Sequence, residues 1–258
     1  MGGRRVAGGR ARPLDWPSLS AFDELIPHPG QGRRFEQTVL PGLADAAPGG
    51  RVRLDALARW LQDVALADVD DAGVGDRAVW VVRRARMAVR RFPRFGDPAA
   101  LSTWSSGLGR MWAQRRTTVT TAAGGHVEAV ALWVHLDPQS GRPVPLTDEE
   151  LELYRPSVAG REIKARLRHP APPAGTGGRP WSFRTTELDL ADHINNAAYW
   201  SVLEDELLTA GDEPAKLDAE LEFRTPAQPG AFSVIADGHH RWIVAADGAF
   251  HASFLLAR

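Results

Sequence analysis

The sequence predicts an α+β chain built as a tandem pair: a curved antiparallel sheet wraps around one long helix, and the arrangement then repeats. Three observations carry this reading. Each half runs strand, helix, then several alternating strands, a pattern that buries the apolar stripe of one helix against the face of a sheet. A stretch dense in Pro and Gly, "RHPAPPAGTGGRP" at 168–180, separates the halves and reads as a linker. A weak internal repeat lays "WLQDVA" on "VLEDEL", matching Leu61 with Leu203 and Asp63 with Asp205. In that register Leu57 falls on Tyr199, Arg51 on His193 and Ala47 on Asp189, so only the second half carries an Asp/His pair.

The elements follow in order. Residues 1–32, rich in Gly, Pro and Arg, are expected to be a disordered tail, and a first domain spans 33–167. In "LDALARWLQDVALADVDDAG" the residues Leu54, Leu57, Leu61 and Val64 recur at helical spacing, and Gly73 is a natural stop. "VWVVRRARMAVRRF" alternates, with Ala85, Met87 and Val89 on one face and Arg84, Arg86 and Arg90 on the other. "ALSTWSSGLGR", "MWAQRRTTVTTA" and "HVEAVALWVHLD" are further strands, the last two joined by a hairpin turn, and "LTDEELELYRP" is a short closing helix. After the linker a second domain spans 181–258. It holds a strand in "WSFRTTEL", a helix in "NNAAYWSVLEDELLTA" and four strands from "LDAELEFRTP" to "AFHASFLLA".

Composition narrows the chemistry. The 258 residues carry a formal net charge of −1, so nothing global steers the chain toward nucleic acid or an anionic membrane. No apolar run reaches the length of a membrane span. There is no cysteine, which rules out disulfides, cysteine nucleophiles and thiolate metal sites and fits a cytoplasmic enzyme. "GHHRW" holds adjacent histidines with no further ligand at metal spacing and reads as a turn. No glycine-rich phosphate loop is present, and nothing suggests a nicotinamide, flavin or metal cofactor.

The stretch "DLADHINNAAYWSVLEDEL" stands apart. Asp189 and His193 lie four residues apart just before a helix expected to begin near Asn195. Asp192 or Asn195 suits an ordinary helix cap. The same stretch also suits catalysis: Asp189 as base or nucleophile, His193 polarising a carbonyl, and free N–H groups at Asn195 and Asn196 facing an oxyanion.

These residues, with "WLQDVALADVDDAG", "VWVVRRARMAVRRFPRFGD" and "TWSSGLGR", resemble the acyl-acyl-carrier-protein thioesterases of plant plastids and bacteria, which are double hot-dog proteins. The resemblance covers roughly residues 33–258. It implies hydrolysis of fatty acyl thioesters, with acyl carrier protein or acyl-CoA as partner, no cofactor, and a monomer or homodimer. "DLADHINNAAY" resembles the family's D-x-N-x-H-x-N-N-x-x-Y signature, placing its Asp on Asp189 and its His on His193. Its Asn falls on Ala191, and a further Glu on the strand after the helix falls near Pro226, followed by Ala227, with Gln228 the nearest polar residue. The missing polar groups keep open a non-catalytic acyl-binding module. Trp80, Met87 and Trp133 line either an acyl tunnel or ordinary core. Arg84 and Arg90 either dock the carrier or form a solvated strand face.

Overall fold

The computed structural model describes residues 24–74, 79–211 and 213–257. In the first half, β1 (Phe35–Val39) leads through a 3-10 turn to α1 (Leu54–Asp71). Strands β2 (Val79–Arg91), β3 (Ala99–Leu108), β4 (Trp112–Thr121) and β5 (His126–Leu136) follow. Helix α2 (Asp148–Val158) then closes the half, opened by a capping box between Thr147 and Glu150. The second half holds β6 (Arg179–Phe183), α3 (Trp200–Thr209), β7 (Leu217–Phe223), β8 (Gly230–Asp237), β9 (His240–Ala245) and β10 (Phe250–Ala257).

All these strands join one antiparallel sheet in the order β1-β3-β4-β5-β2-β7-β10-β9-β8-β6. From the centre outward, β2-β5-β4-β3-β1 is mirrored by β7-β10-β9-β8-β6. Each half therefore has the same topology, and the tandem hot-dog is present as an α+β fold. The halves meet edge to edge, β2 pairing with β7 from Arg84↔Glu222 to Val89↔Leu217. This pairing satisfies two strand edges that would otherwise expose unpaired backbone. On the inner face, Leu54, Leu57 and Val64 of α1 and Trp200 and Leu203 of α3 share one core with Met87, Val89, Leu221 and Phe254.

The outer face of the β2–β7 seam departs from the sequence reading. Arg84 is only 5% exposed; it pairs with Glu24 at 2.6 Å and with Glu220 at 3.6 Å. Arg86 grips Asp218 with two hydrogen bonds of 2.8 and 2.6 Å. Arg84 is thus committed to the interior, a correction to its expected place as a docking contact, whereas Arg90 on the same strand is exposed. Like charges stacked along one strand reach this burial because β7 sets Asp218, Glu220 and Glu222 opposite them.

The expected linker is a strap across this seam. The N–H groups of Arg168 and His169 donate to the Glu222 carboxylate, and Trp242 Nε1 donates to the Pro170 carbonyl at 2.8 Å. Of the expected disordered tail, residues 1–23 lie outside the described residues. Within 24–32, three residues are packed instead: Glu24 meets Arg84 and Arg168, the Ile26 carbonyl accepts from Arg116, and the His28 ring stands edge-on to Trp104, while residues 29–32 are exposed. Among the described residues no helix is long and apolar enough to cross a membrane.

Candidate active site

The Asp/His loop is a tight, fully specified turn. Leu188 and Ile194 form an antiparallel bridge, the Asp189 N–H donates to the His193 carbonyl at 2.9 Å, and the Asp192 N–H donates to the Asp189 carbonyl at 3.0 Å. Asp192 takes the left-handed conformation, with φ of 57°, that this turn demands. The Asp189 Oδ1 accepts the Ala191 N–H at 2.9 Å, so one carboxylate oxygen anchors the turn while the half-buried group keeps its other oxygen available. The His193 ring is half-buried and forms no hydrogen bond among the described residues. Gln228 does not reach toward Asp189; its amide donates to the Asp192 carbonyl at 2.7 Å and braces the turn.

The helix that follows begins later than its sequence suggests. The Asn195 Oδ1 accepts the Ala197 N–H at 2.8 Å, and short-range bonds from Ala198 to Asn195 and from Trp200 to Ala197 tighten the lead-in. Such side-chain capture competes with the α-helical ladder, so α3 itself starts at Trp200. Asn195 thus caps the 3-10-like turn that leads in, not α3 itself, whose N-cap position, Tyr199, has no side-chain cap hydrogen bond. The Asn196 N–H has no partner among the described residues. Tyr199 lies buried behind the loop. Burial pushes its phenol well above the usual range, against a hydrogen bond to the Ala227 backbone and with a smaller push from the Asp189 charge.

Two cavities that share Gln62, Arg115 and Trp133 lie in the first half, and the smaller reaches Asn196 at the end of this loop. A small one, about 50 Å³, is lined by Ala58, Gln62, Met87, Trp133, Asn196 and Trp200. A larger one, about 180 Å³, is lined by Gln62, Ala65, Leu66, Trp80, Trp133 and Tyr154. The structure therefore places Met87 on the first wall, Trp80 on the second and Trp133 on both. The internal repeat explains why the hollow lies in this half. At the positions of α3 filled by Trp200 and Leu207, α1 carries Ala58 and Ala65. Small residues on an otherwise apolar helix face leave space that the second half fills with indole and isobutyl.

Two groups near the site carry no sequence signal of their own. His251 sits at an irregularity of β10, where bulges re-aim side chains. Its Nδ1 lies 3.0 Å from the carbonyl oxygen of Pro226, the position where the resemblance implies a Glu. A carbonyl only accepts, so Nδ1 carries a hydrogen. The second group, Gln62, is treated below. A third grouping, His169 with Glu220 and Glu222, brings metal-type ligands together on the outer face. Its carboxylates already face Arg84, Arg168 and Arg224 at 3.4–3.6 Å, so their charge is matched without an ion. His240, of the "GHHRW" turn, stacks on Trp242 at 5.3 Å.

The chain is thus a tandem hot-dog in which an Asp/His loop leads to a backbone N–H, that of Asn196, with no partner among the described residues, and Asn196 lines an apolar hollow. The chain belongs to the acyl-ACP thioesterase family: residues 35–154 match the acyl-ACP thioesterase N-terminal domain and residues 177–236 the C-terminal domain. Membership makes it a thioester hydrolase. An uncharacterised protein of Mycobacterium tuberculosis is 24% identical over 207 residues, covering 80% of this chain and 83% of its own. Oleoyl-acyl carrier protein thioesterase 2 of Arabidopsis thaliana is 25% identical over 173 residues, covering 57% of this chain and 46% of its own. Two solved structures share the fold. An acyl-ACP thioesterase from Bacteroides thetaiotaomicron has a TM-score of 0.71 at 14% identity, covering 87% of this chain and 97% of its own. The 12:0-ACP thioesterase from Umbellularia californica has a TM-score of 0.68 at 18% identity, covering 88% and 97%.

Proposed function

We propose that this family member hydrolyses fatty acyl thioesters on acyl carrier protein by a base-catalysed attack of water, with Asp189 as the base. The observation that carries the reading is the Asp189 carboxylate, fixed by its own turn through Oδ1 and half-buried in the loop that leads to Asn196, which lines the small cavity. Its second oxygen takes a proton from water as the water oxygen bonds to the thioester carbonyl carbon. The carbon–sulfur bond then breaks, and the proton passes from Asp189 to the leaving sulfur, giving a free fatty acid and a thiol. His193 and the Asn196 N–H polarise the carbonyl, and the acyl chain occupies the space walled by Met87, Trp80 and Trp133. Exposed Arg90 is the remaining candidate for carrier docking. With Ala191 and Pro226 at the positions where the resemblance implies Asn and Glu, His251, which contacts the Pro226 carbonyl, is the candidate for an added polar group. The reading places the enzyme in the cytoplasm, as one covalent pseudo-dimer or a homodimer of it.

The test is thiol release from matched acyl-carrier-protein and acyl-CoA substrates over a panel of chain lengths. Asp189→Asn keeps the acceptor for Ala191, so Tm stays near wild type while kcat falls about 10²–10⁴-fold. Unchanged turnover removes Asp189 from the mechanism. A kcat/KM that favours CoA transfers the function to the acyl-CoA carrier, and binding without thiol release leaves an acyl-binding module.

A further inference from the structure

The two halves repeat each other around the helix starts as closely as in the sheet. In the first half the Ala47 N–H donates to the Arg51 carbonyl at 2.8 Å, matching Asp189 to His193 at 2.9 Å. Arg53 to Asp45 at 2.8 Å matches Asn195 to Glu187 at 2.8 Å, and Gly50, with φ of 84°, takes the place of Asp192. In this register Leu54 corresponds to Asn196, and Gln62 of α1 corresponds to Glu204 of α3.

The first-half copy of the loop is plugged. Glu204 reaches across from α3 and accepts the Leu54 N–H at 3.1 Å, with Arg51 Nη1 and Nη2 at 3.0 and 2.8 Å. This ion pair is buried, Glu204 being 3% exposed, and the Arg51 guanidinium lies 5.0 Å over the Phe92 ring. The second-half copy is open. The Asn196 N–H, counterpart of that of Leu54, is unpaired among the described residues. Gln62, counterpart of Glu204, lines the same small cavity as Asn196 and also the larger apolar one. Where a carboxylate accepts the backbone N–H in one half, the other half holds an amide that can itself donate.

We infer that Gln62 is a catalytic residue: its side-chain N–H and the Asn196 N–H converge on the thioester carbonyl oxygen and hold it as it becomes an oxyanion. A carboxylate at this place would repel that oxygen; an amide stabilises it. Gln62 stands where the two cavities meet, so a chain lying in the larger one presents its thioester end to this amide. The inference rests on the thioesterase reading above.

The test is steady-state thiol release by Gln62→Ala, Gln62→Met and Gln62→Glu on acyl-carrier-protein substrates, with Tm measured for each. The expected result is a kcat about 10²–10³-fold below wild type for all three, with chain-length preference and Tm little changed. Gln62→Glu should regain activity as pH falls and its carboxyl gains a hydrogen to donate, which Gln62→Met does not. A kcat within threefold of wild type in Gln62→Met or Gln62→Glu, with only KM or chain preference altered, overturns the inference and leaves Gln62 as tunnel wall. Wild-type protein that releases no thiol overturns the thioesterase reading and this inference with it.

Discussion

Filling the hollow of the first half should shorten the acyl chains the enzyme accepts. Ala65 faces the larger cavity of about 180 Å³, and its counterpart on α3 is the buried Leu207. Ala65→Leu adds three carbons to the cavity wall, in a side chain that the same fold already carries at the equivalent position. If each added carbon displaces one substrate methylene, and each methylene contributes about 0.8 kcal/mol, the longest chains lose about 2.4 kcal/mol. At about 1.4 kcal/mol per tenfold, that is roughly a 50-fold fall in kcat/KM. Substrates too short to reach Ala65 should keep wild-type values. The assay is thiol release over the chain-length panel, and Tm should hold or rise because the added carbons bury apolar surface. An equal fall across all chain lengths, or an unchanged profile, would refute the placement of the acyl chain in this cavity.

Other outcomes follow from charge. Glu204→Ala leaves Arg51 buried without its partner and should lower stability by about 3–5 kcal/mol, a Tm drop of roughly 10 °C by calorimetry; a drop below two degrees would contradict the plug. Arg90→Glu should reduce kcat/KM more with acyl carrier protein than with CoA substrates, and an equal effect on both would remove Arg90 from docking. Burial pushes the carboxyls of Asp55, Glu128 and Glu220 up. Hydrogen bonds and charges from Arg53 and Arg59, from His126 and Arg116, and from His169, Arg84 and Arg168 outweigh it, so each is held below its ordinary value of 3.8 or 4.5. Their folded pKa values lie below the unfolded ones, so this stabilisation is complete above about pH 4.5 and is lost as pH falls through the folded values. Tm measured from pH 6 down to 3 should decline most steeply below pH 4.5; a flat profile would sink this account.

Much of the fold was legible because it rests on local periodicity. The stripe of Leu54, Leu57 and Val64 and the alternation of Met87 and Val89 against Arg84 and Arg86 both reappear in the core. The repeat register also holds, down to the pairing of Arg51 with His193 in equivalent turns. What escaped the sequence depends on partners far along the chain. Arg84 reads as solvated because nothing near it says that Glu24, the Arg166 carbonyl and Glu220 will cover it. The stretch 168–180 reads as a linker because its Pro and Gly are visible, whereas the Glu222 that receives its N–H groups is not. The late start of α3 turns on one side-chain bond at Asn195. The hollow was invisible for another reason: Ala58 and Ala65 count as core positions in any apolar pattern, and only comparison with Trp200 and Leu207 reveals the missing volume.

That difference between Ala65 and Leu207 bears on why the two halves share one chain. In a homodimer of identical subunits every substitution is made twice, so a cavity opened in one copy opens in the other. Each emptied core position forfeits packing contacts, and a homodimer would forfeit them twice from the roughly 5–15 kcal/mol that holds a typical domain folded. Covalent fusion breaks the symmetry at the level of the gene. One half is free to be emptied for a ligand while the other stays densely filled and keeps the shared sheet rigid beneath it.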